Sequence, residues 1–356
     1  MDSPIRLSFF LRDIDDEEAS NLGESEAMMA VCRHAVRVAM AVVLVTVVVL
    51  GGEAGAAEKQ ETVTIASGRV GGLYHPVGGV ICKLAQESLD RHGASCTVDI
   101  SGGSIPNIKD LRKGKVDLAM VQSDLQQDAF AGTGPFADEG PFEKLRSVFA
   151  LYVEHFTVVA REDKDIETFE DLKGKRVYVG GTTSSRRDAA DVLMEAHGWT
   201  GEEVSFVSEF KGANLAEALC EDEFDAFVYT IGYPNPTVRE TTMLCDANLV
   251  KVADPILEKL NRENPFYVGS VIPGGTYRGN PRDVPTVGVV ATLVTTAEVP
   301  PEVIYEITKA YFENLGLLQA LSPLFLSLTK TEMVKTGLAA PIHEGALKYF
   351  SEVGLK

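Results

Sequence analysis

The sequence predicts an α/β protein of two lobes, each a mostly parallel sheet wound with helices, joined by two hinge strands. Three observations predict this class. Strand-like and helix-like segments alternate from residue 62 onward, the alternation stops and then resumes with similar order and length, and long β-rich runs flank the second series. Alternating β and α segments are typical of parallel sheets with helical crossovers. A chain of 356 residues is also too long for one small core.

The first lobe is predicted from a β-rich run at 62–66 and the helical stripe that follows it. Within 76–90 the apolar residues recur at intervals of three and four, the period of one helix face. A strand at 96–100, a helix at 106–113 and a strand at 116–121 complete a βαβαβ order. That order favours a parallel sheet with covering helices.

A second series follows a helical turn expected at 165–173. Its elements alternate as in the first series: a strand at 176–179, a helix at 186–197, a strand at 204–207, a helix at 215–220 and a strand at 226–230. The two series share no residue-level repeat. We therefore expect two lobes that share an architecture only.

Two β-rich runs, 147–161 and 265–272, are the expected hinge segments. A clam-like closure needs a few connecting residues that absorb the change in backbone dihedrals. A strand at 284–295 and a helix at 301–314 follow, and we place this C-terminal part back on the first lobe. The predicted boundaries are 57–157 and 268–356 for the first lobe and 158–267 for the second.

An apolar run near the N-terminus predicts a secretory signal peptide. The run spans 38–50, has basic residues before it, and is followed by Ala54-Gly55-Ala56. A membrane-spanning helix needs about 20 apolar residues, so this shorter run fits the hydrophobic region of a signal peptide, with the small residues as its cleavage site. The alternative is a short membrane anchor. We expect cleavage after Ala56 and export to the periplasm.

The segment ahead of that signal peptide is unusually acidic. Residues 1–27 carry eight carboxylates and two arginines, which is untypical of a signal peptide start. A start at Met28 or Met29 gives a signal peptide at 28–56. We therefore expect 1–27 to be an extension that results from a mis-assigned start.

Charge and cysteine content limit the class of partner. The chain has 52 acidic and 33 basic residues, a net charge of −19, and removal of 1–56 leaves about −14. Such a surface repels nucleic acid, which is not an expected partner.

Four cysteines remain, an even number that permits disulfides in an oxidising compartment. Cys82 with Cys96 and Cys220 with Cys245 are the near pairs, and other pairings stay open. Since no C-x-x-C occurs, we expect no zinc site, and we expect no cofactor.

Glycine-rich turns follow three of the predicted strands. They span 67–74, 101–104 and 180–185, and each opens a predicted helix. In an open α/β sheet the ligand crevice lies beyond the carboxyl ends of the strands, and helix N-termini attract anions. A single Ser or Thr in such a turn is equally an N-cap. Three turns together favour a cleft for a small anionic or zwitterionic solute.

Side chains at these turns are the candidate ligand contacts. Arg186 and Arg187 begin a predicted helix, where the dipole disfavours cations, and a guanidinium can hold a carboxylate through two hydrogen bonds. We interpret Arg186 as a solvated residue and Arg187 as the carboxylate clamp. Tyr74 either covers the ligand or forms a half-buried helix start. Gln122 and Ser123 follow a predicted strand and can point into the cleft.

The turn at 229–236 ends the last strand of the second series. Its Gly232 and two prolines are residues that commonly form turns. Gly232 is also a candidate for the far wall of the cleft. The sequence contains no G-x-S-x-G, no H-E-x-x-H, no phosphate-binding loop motif and no dinucleotide fingerprint. We therefore expect a binding protein and not an enzyme.

Six stretches of the sequence resemble the TAXI-type solute receptors of TRAP transporters. They are 67–79, 101–124, 171–193, 224–236, 265–279 and 283–295, in the order of that family. The resemblance implies a two-lobed periplasmic binding protein, type II-like, that delivers a glutamate-like amino acid or an organic acid to TRAP membrane subunits. We expect it to act as a monomer.

Carried over position by position, the resemblance implies a set of site or near-site residues. They are Ser67, Tyr74, Ser104, Asn107, Gln122, Ser123, Ser184, Arg187 and Gly232. The stretch Thr183-Ser184-Ser185-Arg186-Arg187 stands where the family commonly shows Gly-Ser-Gly-Thr-Arg, and so adds bulk and charge beside the clamp. The alternatives are an ABC-type receptor of the same architecture, a periplasmic ligand sensor and a two-lobe transferase-like enzyme.

Overall fold

A computed structural model of the chain describes residues 61–69, 72–181, 185–212, 214–252, 256–263 and 266–356. The expected extension at 1–27 and signal peptide at 28–56, as well as Ser184, lie outside these ranges. In the described ranges, no helix has the length and apolar character needed to cross a membrane.

The described strands join in one sheet. They are β1 (Glu61–Ala66), β2 (Ala94–Asp99), β3 (Leu118–Gln122), β4 (Leu145–Arg161), β5 (Arg176–Tyr178), β6 (Ser205–Val207), β7 (Ala226–Ile231), β8 (Ala247–Val250), β9 (Val268–Ile272) and β10 (Val284–Thr296). Their order is β2-β1-β3-β10-β4-β7-β5-β6, with β8 on β4 and β9 on β10. Parallel pairs form at both ends of this order, and β4 and β10 run antiparallel to their neighbours. The predicted α/β class is thereby confirmed, although the strands form one mixed sheet and not a mostly parallel sheet in each lobe.

Helices follow the strands in both series. They are α1 (Tyr74–Asp90), α2 (Ser104–Arg112), α3 (Ser123–Ala131), α4 (Ser185–Ala196), α5 (Leu215–Cys220), α6 (Pro236–Leu244), α7 (Ile256–Glu263), α8 (Pro301–Glu313), α9 (Leu315–Leu321), α10 (Lys330–Met333) and α11 (Glu344–Glu352). The predicted helical turn at 165–173 contains the short 3-10 turn Phe169–Leu172, and a second 3-10 turn, Glu162–Lys164, lies directly before that range. Helix α1 shows the predicted stripe, since Val77, Ile81, Ala85 and Leu89 are all buried.

Two long strands join the two ends of the sheet. We call β1, β2 and β3, with the parts of β4 and β10 beside them, the first half, and β5 to β9, with the remaining parts, the second half. Strand β4 pairs with β10 from Leu145 and with β7 from His155 onward. Strand β10 pairs with β9 at its start and with β3 at its end.

The second hinge differs from the prediction. The run 265–272 was expected to connect the halves, but it contributes β9, which pairs with β10 along one edge. A five-residue strand spans only about 17 Å, so it is too short to belong to both halves. The 13 residues of β10 reach both. The predicted hinge at 147–161 lies within β4.

Packing on the second half also differs from the expected boundary at 267/268. Ile272, Tyr277 and Val284 were expected in the first lobe, yet they share a buried apolar cluster with Phe227 and Leu249. The cause is the pairing of β9 with the start of β10, which keeps both strands against the second half.

Both near pairs of cysteines form disulfide bonds. Cys82 of α1 bonds Cys96 of β2, and Cys220 at the end of α5 bonds Cys245 just after α6. The first bond therefore ties a helix to the strand that follows it, and the second ties the end of α5 to the end of α6.

Candidate functional site

A cavity of about 130 Å³ lies between the two halves. Its walls include Gly68 and Ser104 of the first half and Arg186 and Tyr229 of the second. The first-half residues follow β1 and β2, at the carboxyl ends of parallel strands, where open α/β sheets place ligand crevices. This is the edge at which the sequence predicts the cleft.

Glycine geometry brings the start of α2 to the cavity. Gly103 has a φ of +104°, a backbone conformation that residues with a Cβ rarely adopt, and it lies directly before Ser104, the first residue of α2. The Ser101 hydroxyl donates to Ser67 O at 3.1 Å and accepts from Gly103 N at 3.1 Å, which ties this turn to the one after β1. The first residues of α2 therefore form part of the cavity wall, with the positive end of the helix dipole toward it.

A carboxyl group that the sequence analysis did not single out forms part of the same wall. Glu154 is 3% exposed and accepts hydrogen bonds at Oε2 from Gln122 Nε2 at 2.8 Å and from the Tyr74 hydroxyl at 3.4 Å. Desolvation by burial raises the pKa of Glu154 to about 8, and the negative charge of Asp124 acts in the same direction. The carboxyl is therefore mostly protonated at neutral pH.

The residues around Glu154 form one connected group. Ser104 Oγ accepts from Gln122 N at 3.1 Å, which fixes the end of β3 against the start of α2. Burial raises the pKa of Tyr74 well above its usual value, so its phenol stays protonated as a donor. Burial also raises the pKa of Asp124 to about 6. Tyr74, Ser104 and Gln122, all predicted candidates, thus meet at the cavity.

The two arginines at the start of α4 have different surroundings. Arg187 Nε donates to both carboxylate oxygens of Asp191 at 2.9 Å, and its guanidinium carbon lies 4.3 Å from the centre of the Phe206 ring. Arg186 lines the cavity, with its guanidinium carbon 4.1 Å from the centre of the Tyr229 ring. Arg186 Nε is buried and has no hydrogen-bond partner among the described residues. The expectation that Arg186 is a solvated residue is therefore wrong, and Arg187 lies outside the cavity lining.

Other predicted candidates lie beside the cavity and have structural contacts. Ser67 Oγ donates to Asp99 O at 2.7 Å, and Asn107 Nδ2 donates to Ser67 O at 2.7 Å and to Met120 O at 2.8 Å. Ser123 Oγ donates to Phe266 O at 3.1 Å and accepts from Val290 N at 2.9 Å. These side chains hold the site's turns and strands together.

Gly232 lies where the halves approach each other. A Cβ at this position would meet Leu324 Cδ1 of the first half and would lie 3.0 Å from Leu73 Cδ1. A larger residue here would therefore require the Leu324 side chain to shift. Neighbouring Thr230 lines the cavity, and its buried hydroxyl has no partner in the described part of the chain.

Sequence reasoning missed Glu154 because it lies in a long apolar run that was interpreted only as a hinge. A lone acidic residue within a buried strand was the available signal, since buried carboxyl groups need a reason to be kept. Arg186 carried no such signal, because two adjacent arginines in a helix differ only in the face on which they lie.

Comparison with known proteins gives a family and a fold. The sequence profile of the NMT1-like family matches residues 65–354. A protein of known structure from Bordetella bronchiseptica RB50 is 14% identical, with a TM-score of 0.51 over 82% of this chain and 98% of that one. A TctC solute binding protein from Polaromonas is 17% identical (TM-score 0.48, 75% and 90%), and the periplasmic aliphatic sulphonate binding protein SsuA from Escherichia coli is 13% identical (0.42, 83% and 76%). The likeness to the Bordetella protein concerns the mixed α/β fold.

Proposed function

Because the chain belongs to the NMT1-like family, we propose that it is a solute-binding receptor of the TAXI type. It captures a small carboxylate solute, a glutamate-like amino acid or an organic acid, and delivers it to the membrane subunits of a TRAP transporter. It is exported to the periplasm through the signal peptide at 28–56, works as a monomer and releases its ligand unchanged. The observation that carries this proposal is a cavity whose walls come from both halves of one sheet.

Arg186 is the proposed carboxylate clamp. Its Nε and the Thr230 hydroxyl are buried polar atoms in or beside the cavity with no partner among the described residues. Buried polar groups in folded proteins are nearly always hydrogen-bonded, so a ligand carboxylate between them explains both. The earlier candidate Arg187 is less suited, because Asp191 already occupies its Nε.

The first half supplies the opposing contacts. The start of α2 at Ser104 and the group formed by Tyr74, Gln122 and Glu154 lie across from Arg186 in the same cavity. A ligand that contacts both halves favours the arrangement in which they are close, by its difference in affinity for the two states. The receptor therefore closes on its ligand, and the closed form is the one that docks on the transporter.

Thermal melting with a panel of amino acids and organic acids tests the receptor function and the clamp. We expect at least one solute to raise the melting temperature of the wild type, and Arg186→Ala to abolish that rise. Arg187→Ala is the matched control, since it loses an exposed pair with Asp191 and should keep the ligand-dependent rise. A loss of the rise in Arg187→Ala alone would return the clamp to that residue, and a panel without any rise contradicts the receptor.

Uptake into proteoliposomes tests the transporter class. With TRAP membrane subunits and the identified solute, the protein should support uptake driven by an ion gradient in the absence of ATP. Uptake that needs an ATPase would contradict the TRAP assignment and favour an ABC-type receptor.

A further inference from the structure

Glu154 is a buried carboxyl that forms no ion pair with any described residue. It lies on β4 one residue before that strand begins to pair with β7, so it stands where the two halves meet. Both of its hydrogen bonds reach Oε2. Among the described residues no donor reaches Oε1, and none of their ion pairs includes Glu154.

The cation Arg186, in the opposite wall, likewise forms no ion pair among the residues that the structure describes. Arg186 belongs to the second half, lines the same cavity and stacks on the Tyr229 ring, while its Nε has no partner in the described chain. No ion pair joins Arg186 to Glu154 in the part of the chain that the structure describes. Buried charged groups are stable when they are paired and hydrogen-bonded. A ligand that carries both charges would satisfy both walls at once.

Building on the receptor function proposed above, we infer that the ligand is a zwitterionic amino acid whose ammonium group binds Glu154 while its carboxylate binds Arg186. Glu154 then determines specificity, because an organic acid of the same shape supplies no donor to Oε1 of Glu154. Each charged end of the ligand contacts a different half, so the amino acid bridges them. The exposed Asp188, which also lines the cavity, lies on the same helix as Arg186 and not on the wall of Glu154.

Ammonium binding has a consequence for protons. Glu154 is mostly protonated in the free protein at pH 7, because burial raises its pKa to about 8. A cation at hydrogen-bond distance favours the ionised carboxylate, so binding transfers up to about one proton from Glu154 to the buffer. The charged and titratable groups around Glu154 are Arg69, Tyr74, Asp124, Tyr152, Arg186 and Asp188.

The test compares amino acids with acids that lack only the ammonium group. The probes are L-glutamate against glutarate, L-alanine against propionate, and L-leucine against 4-methylpentanoate, each titrated into the purified protein by calorimetry. We expect one amino acid to bind about 30-fold or more tightly than its partner acid, the usual cost of leaving one member of a buried charge pair alone. Titration in two buffers of different ionisation enthalpy should show release of up to about one proton at pH 7.

Glu154→Gln isolates the carboxyl. The amide has the shape of a protonated carboxyl, so the variant should fold with an unchanged or higher melting temperature without ligand. It should bind the preferred amino acid about 30-fold or more weakly and no longer release a proton. Glu143→Gln, at an exposed position before β4, is the matched control and should behave as wild type in both respects.

The outcomes separate this inference from the receptor function. Tight binding of a partner acid that is lost in Arg186→Ala but kept in Glu154→Gln overturns the ammonium assignment and leaves the receptor standing. Unchanged preference for the amino acid in Glu154→Gln overturns it as well. Absence of binding for every probe, in wild type and variants alike, overturns both.

Discussion

Asp225 joins several elements of the second half through one carboxylate. Arg176 donates to it from its backbone N at 2.8 Å and from its guanidinium at 2.8 Å, and Lys164 lies 3.3 Å away. Burial disfavours the charge of Asp225, but these hydrogen bonds and cations outweigh burial and hold its pKa at about 2. The carboxylate thus belongs to a network around β5 and the start of β7.

This depressed pKa predicts how stability depends on pH. A carboxylate whose folded pKa lies below its ordinary 3.8 stabilises the folded state above about pH 4, and this contribution is lost as the pH falls toward 2. Asp225→Asn should lower the free energy of unfolding at pH 7 by about 1.5–3 kcal/mol and weaken the dependence of that free energy on pH between pH 4 and 3. Urea unfolding at pH 7, 4 and 3 measures both. Asp138→Asn, at an exposed position, is the control, and equal slopes in the two variants would contradict the argument.

At this scale the sequence predicted the site only in part. Tyr74, Ser104 and Gln122 reach the cavity as expected, because each follows or precedes the end of a predicted strand and such ends share one edge of the sheet. The roles of Arg186 and Glu154 could not be predicted. Which of two adjacent helical side chains faces a cleft depends on the rotation of the helix, which packing sets.

At the scale of elements, one disulfide fixes α1 to β2 and the other fixes the end of α5 to the end of α6. The Cys82–Cys96 bond closes 14 residues and the Cys220–Cys245 bond closes 25. Closing loops of these sizes reduces the entropy of the unfolded chain, which stabilises the folded state by about 3 and 3.5 kcal/mol respectively. The positions of the bonds therefore predict a measurable contribution of each to stability.

Replacing either pair by serine should lower the free energy of unfolding by about 3 kcal/mol. Equilibrium unfolding in urea under oxidising conditions measures the loss, for Cys82→Ser/Cys96→Ser and for Cys220→Ser/Cys245→Ser. Reductant should destabilise the wild type but leave the variant without all four cysteines unchanged. A wild type that is indifferent to reductant would show that neither bond forms in solution.

Element types were more predictable than element partners. The apolar periodicity that identified α1 and the β-rich character of β4 are local properties of the sequence. The pairing of β9 with β10, and not across both halves, depends on contacts between segments distant in the chain. Nine of the ten described strands overlap predicted β-rich runs, whereas β8 is not predicted and the run 265–272 is not the second hinge.

For the whole molecule, the approach of the two halves depends on a residue without a side chain. Gly232 of the second half lies so close to Leu324 and Leu73 of the first that an added Cβ would force the Leu324 side chain to shift. Gly232→Ala should therefore favour a more open arrangement, since forcing a methyl into a packed contact costs about 1–3 kcal/mol.

That cost should weaken ligand binding by up to about 100-fold. At a ligand concentration that saturates the wild type, small-angle scattering should also show a larger radius of gyration for the variant. Gly79→Ala, at an exposed position of α1 with no atom near the added Cβ, should change neither quantity. Wild-type affinity in Gly232→Ala would mean that closure does not need this contact.

The sharing of β4 and β10 has a consequence for any attempt to divide the protein. Because each strand is hydrogen-bonded in both halves, a cut on either side leaves one half without a central strand and exposes unpaired edge amides. Exposed edges of this kind pair with other chains and aggregate. The halves are therefore not modules that could be expressed, exchanged or recombined separately. The ligand-binding unit has to be produced as one continuous chain.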